Sequence, residues 1–108
     1  MPVKILLFIL IFTSSSYANM NTLTGWDGGN LSSLNDNLRQ ISSKTGLQQI
    51  SILNDLSSST SLSVLNENIA LIGRQLSIPG LSAITGYTDT NLSVLNYDLA
   101  LIGQNTGA

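Results

Sequence analysis

A chain of 108 residues with four basic and six acidic side chains, no histidine and no cysteine lacks the commonest general base, the thiolate nucleophile and the usual zinc ligands at once. Its cations are scattered at Lys4, Arg39, Lys44 and Arg74, so it offers no basic stripe to follow a nucleic-acid backbone or an anionic lipid surface. Without disulfides, a small domain has to take its stability from helix packing, from self-association or from a partner.

The first segment, residues 1–18, has the three-part order of a secretory signal peptide. Lys4 supplies the positive start, Ile5 to Phe12 is an unbroken apolar run, and Ser16-Tyr17-Ala18 places small residues where the peptidase reads, so cleavage is expected after Ala18. As a helix the run would span about 12 Å, against about 30 Å of hydrocarbon, which is too short for a membrane anchor. No cysteine follows it to carry a lipid. The product is expected in the periplasm, at the cell surface or in the medium, and its lack of cysteine suits a bacterial setting. Beyond Ala18, about ninety residues carry six acids against three bases, enough for one domain with a modest core.

Residues 19–29 read as a flexible lead. Trp26, the one tryptophan, either anchors a partner or covers the open end of the domain. Asp27-Gly28-Gly29-Asn30 reads as a turn, with far too few acidic ligands for calcium.

Residues 30–108 form a repeat domain. Leu62-Ser-Val-Leu-Asn-Glu-Asn-Ile-Ala-Leu-Ile-Gly73 returns thirty residues later as Leu92-Ser-Val-Leu-Asn-Tyr-Asp-Leu-Ala-Leu-Ile-Gly103, and an older copy stands at Leu31-Ser-Ser-Leu-Asn-Asp-Asn-Leu-Arg-Gln-Ile41. The copies lie near 31–46, 62–76 and 92–103, with shorter echoes at Ile50-Ser-Ile-Leu-Asn-Asp55 and Leu81-Ser-Ala-Ile-Thr85, which makes about two and a half units. Apolar residues fall 3-4-3 apart at Leu31, Leu34, Leu38 and Ile41, at Leu62, Leu65, Ile69 and Ile72, and at Leu92, Leu95, Leu99 and Ile102. That is the heptad-like seam of a helix packed lengthwise on another.

Helices are expected near 31–44, 47–57, 61–76 and 91–103, with a short one near 81–86, capped by Asn30, Ser61 and Asn91. The fold class is therefore all-α: a small repeat-built helical bundle. The rival is a β-solenoid, which Leu62-Ser-Val-Leu-Asn suits, but alternation breaks at Ile69-Ala-Leu-Ile72. Val64/Leu71 and Val94/Leu101 add a second apolar seam that copy one lacks, and between the seams stand Asn37, Asn68 and Asp98. Those three either bond across helices and fix register or reach solvent.

Chemistry finds little support. Asp36, Asp55, Glu67 and Asp98 are the carboxylates that a hydrolase would pair, yet each sits at or beside the asparagine of a copy, where a solvated helix face explains it. No catalytic residue, metal or cofactor is expected. Asn30-Leu-Ser32 and Asn91-Leu-Ser93 are glycosylation sequons, relevant only in a eukaryotic secretory route. The interaction candidates are Trp26, Leu62, Leu65, Ile69, Ile72, Leu92, Leu95, Leu99 and Ile102.

The expectation is an exported, non-enzymatic structural or interaction protein. It either associates with itself or serves a bacterial surface, conjugation or secretion assembly, to whose accessory proteins it is similar in general character only. The alternative is a secreted membrane-active toxin, which the shortage of Lys and Arg disfavours.

Overall fold

The computed structural model describes residues 20–108, so the export signal expected at residues 1–18 lies outside the described residues. The chain is all-α. Three helices of 18 residues follow one another: α1 (Gly28–Thr45), α2 (Ser59–Leu76) and α3 (Asp89–Thr106), with no strand among the described residues.

Each helix starts and stops for the same local reasons. The side chains of Asp27, Ser58 and Thr88 accept from the backbone N–H groups of Asn30, Ser61 and Asn91, satisfying a donor that the first turn would otherwise leave free. The caps thus stand three residues earlier than Asn30, Ser61 and Asn91, which receive the caps instead of providing them. At the other end Gly46, Ser77 and Gly107 turn left-handed at φ 79°, 53° and 79°, and their N–H groups bond back to Ser42, Gly73 and Gly103, the usual helix-ending geometry.

The 3-4-3 stripes face inward together. Leu34, Leu38 and Ile41 of α1, Leu65, Ile69 and Ile72 of α2, and Leu95, Leu99 and Ile102 of α3 are all buried, each contributing about 1.5–3 kcal/mol of apolar burial. The helices run parallel. At one end the Trp26 indole N–H, next to the α1 cap, donates to Thr88 O at the α3 cap (3.0 Å), and the Tyr87 hydroxyl donates to Ser58 O at the α2 cap (2.7 Å). At the other end the Lys44 side chain lies against Gly107.

Parallel neighbours need long returns. An 18-residue helix is about 27 Å long, and the segments at 46–58 and 77–88 must cover that length backwards, which a dozen residues do only when extended. The helices expected at 47–57 and 81–86 accordingly do not form. Leu47, Ile50, Leu53 and Leu56 are spaced 3-3-3, so successive side chains step back about 60° and the four spread over about half of a helix's circumference instead of one narrow stripe. Ser51, Asn54, Asp55, Ser57 and Ser58 are weak helix formers besides.

Candidate functional site

The feature that distinguishes this fold is how the extended segments are held. With no neighbouring strand, their backbone N–H and C=O groups need other partners. Each helix supplies them from two polar positions on either side of its buried stripe: Asn35 and Asn37 on α1, Asn66 and Asn68 on α2, Asn96 and Asp98 on α3. Two residues apart on a helix means about 200° around it, so each pair reaches into the two grooves flanking its helix.

The first member of each pair grips one residue of a segment by both its backbone groups, as a facing peptide would. The Asn35 amide donates to Leu53 O (2.9 Å) and its oxygen accepts the Leu53 N–H (2.8 Å). Asn66 does the same with Ile84, at 2.7 Å each way, and Asn96 with Leu23, at 2.8 Å each way. The second member grips the residue two positions earlier in a segment. Asn37 clasps Asn21 (2.8 and 2.7 Å) and Asn68 clasps Ser51 (2.7 and 3.0 Å).

These segments, 20–24, 50–54 and 81–85, act as straps. The strap at 51–53 is held by α1 and α2, the one at 82–84 by α2 and α3, and the one at 21–23 by α3 and α1. The ring therefore closes. Leu23, Leu53 and Ile84 plug the three seams as buried residues. Within the lead expected at residues 19–29, residues 21–23 form the third strap, bonded at both positions.

One clamp is incomplete. Asp98 Oδ1 accepts the Ser82 N–H at 2.9 Å, but a carboxylate has no hydrogen to return to the Ser82 carbonyl as asparagine has. Its Oδ2 is, among the described residues, the one buried side-chain polar atom without a hydrogen-bond partner. Burial (0% exposure) pushes the Asp98 carboxyl up to about 6, against the opposing pull of the Ser82 N–H. At the helix starts the effect is opposite. The Asn30 side chain and N–H hold the Asp27 carboxyl below its ordinary value, and the N–H groups of Ser57 and Ser58 do so for Asp55.

Compared with known proteins, the chain matches no family model, no curated sequence and no solved structure. The site therefore has to be read from its own geometry.

That geometry sorts the expected interaction residues into two groups. Leu65, Ile69, Ile72, Leu95, Leu99 and Ile102 are buried against the chain's own core, so they present nothing to another molecule in this closed form. Leu62 and Leu92 are half-buried beside that core. Trp26 is half-buried too, meeting the Tyr87 ring edge-on at 5.2 Å and 72°. With its indole bond to Thr88 O it caps the N-terminal end of the helices. The Asn30 and Asn91 amides are engaged, donating to Asp27 and Thr88 and accepting from the N–H groups of Thr24 and Thr85.

Asn37 and Asn68 bond to strap backbone, as does Asp98, and not directly from helix to helix. Sequence reasoning misses Asn35, Asn66 and Asn96, although the recurrence Asn35-Asp-Asn37, Asn66-Glu-Asn68 and Asn96-Tyr-Asp98 is a signal that could find them. The outward surface is set by other residues. Ile52 (53% exposed) stands at the lip of a groove of about 250 Å³ with Leu38, Arg39, Ser42, Ser43 and Ile50, and Tyr97 (62%) projects from α3. Among the described residues no three His, Cys, Asp or Glu side chains gather as a metal site, and no helix is long and apolar enough to cross a membrane.

Proposed function

We propose that this chain is an exported, non-enzymatic structural and interaction protein. On this reading it is a repeat-built parallel bundle that recognises other protein, either further copies of itself or a larger bacterial surface, conjugation or secretion assembly. The observation that carries the reading is the closed set of clamps. The polar side chains that recur in register, Asn35, Asn37, Asn66, Asn68 and Asn96, spend their hydrogen bonds on the chain's own backbone. Groups so committed hold a shape; they are not held ready to move protons or attack a substrate.

Light scattering on the processed chain tests the reading. About ninety residues at about 110 Da each make a protomer of about 10 kDa, and self-association gives a multiple of that mass with a melting temperature that rises with concentration. Turnover of any substrate by the purified chain would overturn the reading. In the alternative of a membrane-active factor, the buried stripes would have to open onto a bilayer; leakage from liposomes at micromolar protein would replace our reading with that one.

A further inference from the structure

We propose that the seam between α3 and α1 is an exchange site, in which residues 20–24 of one copy of this chain take the place of the same residues in another. The proposal rests on the self-association reading above and names its partner and its contact.

The seam is specific in chemistry. It takes one leucine, Leu23, to 2% exposure. It offers Asn96 to both backbone groups of residue 23, Asn37 to both backbone groups of residue 21, and Asn30 Oδ1 to the Thr24 N–H at 2.8 Å. Five hydrogen bonds and a buried side chain thus define what the seam accepts, and a second copy carries the same strap. The bonds made between molecules would be those made within one. The balance then depends on concentration and on the hinge alone.

Connectivity singles this strap out. The straps at 50–54 and 81–85 each lie between two helices of the fold in sequence, so neither can be handed over to another copy's seam without taking a helix along. Among the described residues, the strap at 20–24 is joined to α1 alone, and its bond partner on α3 is 73 residues away. It can swing out about Gly25, between the Thr24 bond to Asn30 and the Trp26 bond to Thr88, while all three helices keep their places. Such an opening gives up the Leu23 burial and the five hydrogen bonds, all of which an exchanged strap restores, and leaves the rest of the domain folded. An emptied seam then presents unpaired Asn37 and Asn96 amides and a leucine socket, and the nearest matching occupant is another copy's strap.

The absence of native cysteine makes the exchange easy to trap. Thr22 on the strap and Ala100 on α3 line one small groove. Two single variants of the processed chain, Thr22→Cys and Ala100→Cys, are mixed in equal amounts at high concentration, left to equilibrate and joined with a short bis-maleimide. Random collision gives the mixed dimer at only about twice either homodimer, whereas strap exchange is expected to raise it to about tenfold or more, through the high local concentration in the seam. An excess of a synthetic peptide of residues 19–27 is expected to suppress that surplus. Statistical proportions among the three dimers would overturn the proposal. Light scattering on the unmodified chain separates the two ideas. Oligomers with statistical cross-linking sink the exchange alone, and a monomer at every concentration sinks both.

Discussion

Replacing Asp98 by asparagine should stabilise the folded chain at neutral pH and remove the falling limb of its stability as pH rises. At the matching positions of α1 and α2, Asn37 and Asn68 return a hydrogen bond to the strap carbonyl; Asp98 Oδ2, buried, returns none. Burial of the charge is why the group holds its proton up to about 6 instead of the ordinary 3.8, and once protonated the carboxyl has a hydrogen to offer where asparagine has one. A carboxyl whose value is raised on folding gives stability that is fully present below about 3.9 and is lost as pH climbs through about 6. A shift of about two units at 1.36 kcal/mol each makes the loss about 3 kcal/mol.

The Asp98→Asn side chain cannot ionise, so the variant should gain about 3 kcal/mol at pH 7.5 and about 1 kcal/mol at pH 4.5, where the unfolded carboxyl is already mostly ionised. For a domain of this size each kcal/mol moves Tm by about 4–8 °C. Thermal melts followed by circular dichroism should therefore separate the two proteins by about 12–24 °C at pH 7.5 and by about 4–8 °C at pH 4.5. Equal melting temperatures at pH 7.5, or a wild-type chain whose Tm does not fall between pH 4.5 and 7.5, would refute the incomplete-clamp argument.

Other perturbations probe the remaining parts of the fold. Asn35→Ala leaves both backbone groups of Leu53 without partners in a buried setting and should cost about 2–4 kcal/mol, read as a lower urea midpoint. Ser77→Gly relieves a left-handed serine at φ 53° and should raise stability by about 1 kcal/mol, since only glycine adopts that conformation freely. Trp26→Phe keeps a ring against Tyr87 but deletes the bond to Thr88 O, for an expected loss of about 1 kcal/mol in the same denaturant assay. Below pH 4 the signs invert. Asp27 and Asp55 support the starts of α1 and α2 with lowered values, so their contribution is present above about 3.9 and disappears as pH falls further, in wild type and Asp98→Asn alike.

The inward face of each helix is legible because leucine and isoleucine at 3-4-3 spacing state it directly: Leu34, Leu38 and Ile41 and their counterparts are all buried. The straps are not. In Ile50-Ser-Ile-Leu-Asn the apolar residues satisfy a helical or an extended reading equally over so short a run, and what decides between them is Asn35 and Asn68, distant in sequence and polar. Hydrophobic periodicity does not register a side-chain amide that imitates a strand. The same blindness hides the first strap. Leu23-Thr-Gly-Trp26 matches Ile84-Thr-Gly-Tyr87, but with threonine and asparagine around it the stretch resembles a loose lead. The caps escape for a related reason: Asn30 and Asn91 are good capping residues by type, while Asp27 and Thr88 hold the position by geometry.

Because Asn96 near one end of the sequence fastens Leu23 near the other, the first helix-and-strap unit and the last are neighbours. Open arrays of stacked units tolerate the gain or loss of one at either end and need polar terminal units to stay soluble. A closed circle has no ends to trim or shield. Inserting a fourth unit or deleting one would change the number of helices around the shared core, so the packing of Leu34, Ile41, Leu65, Ile72, Leu95 and Ile102, which fits three, would have to be rebuilt.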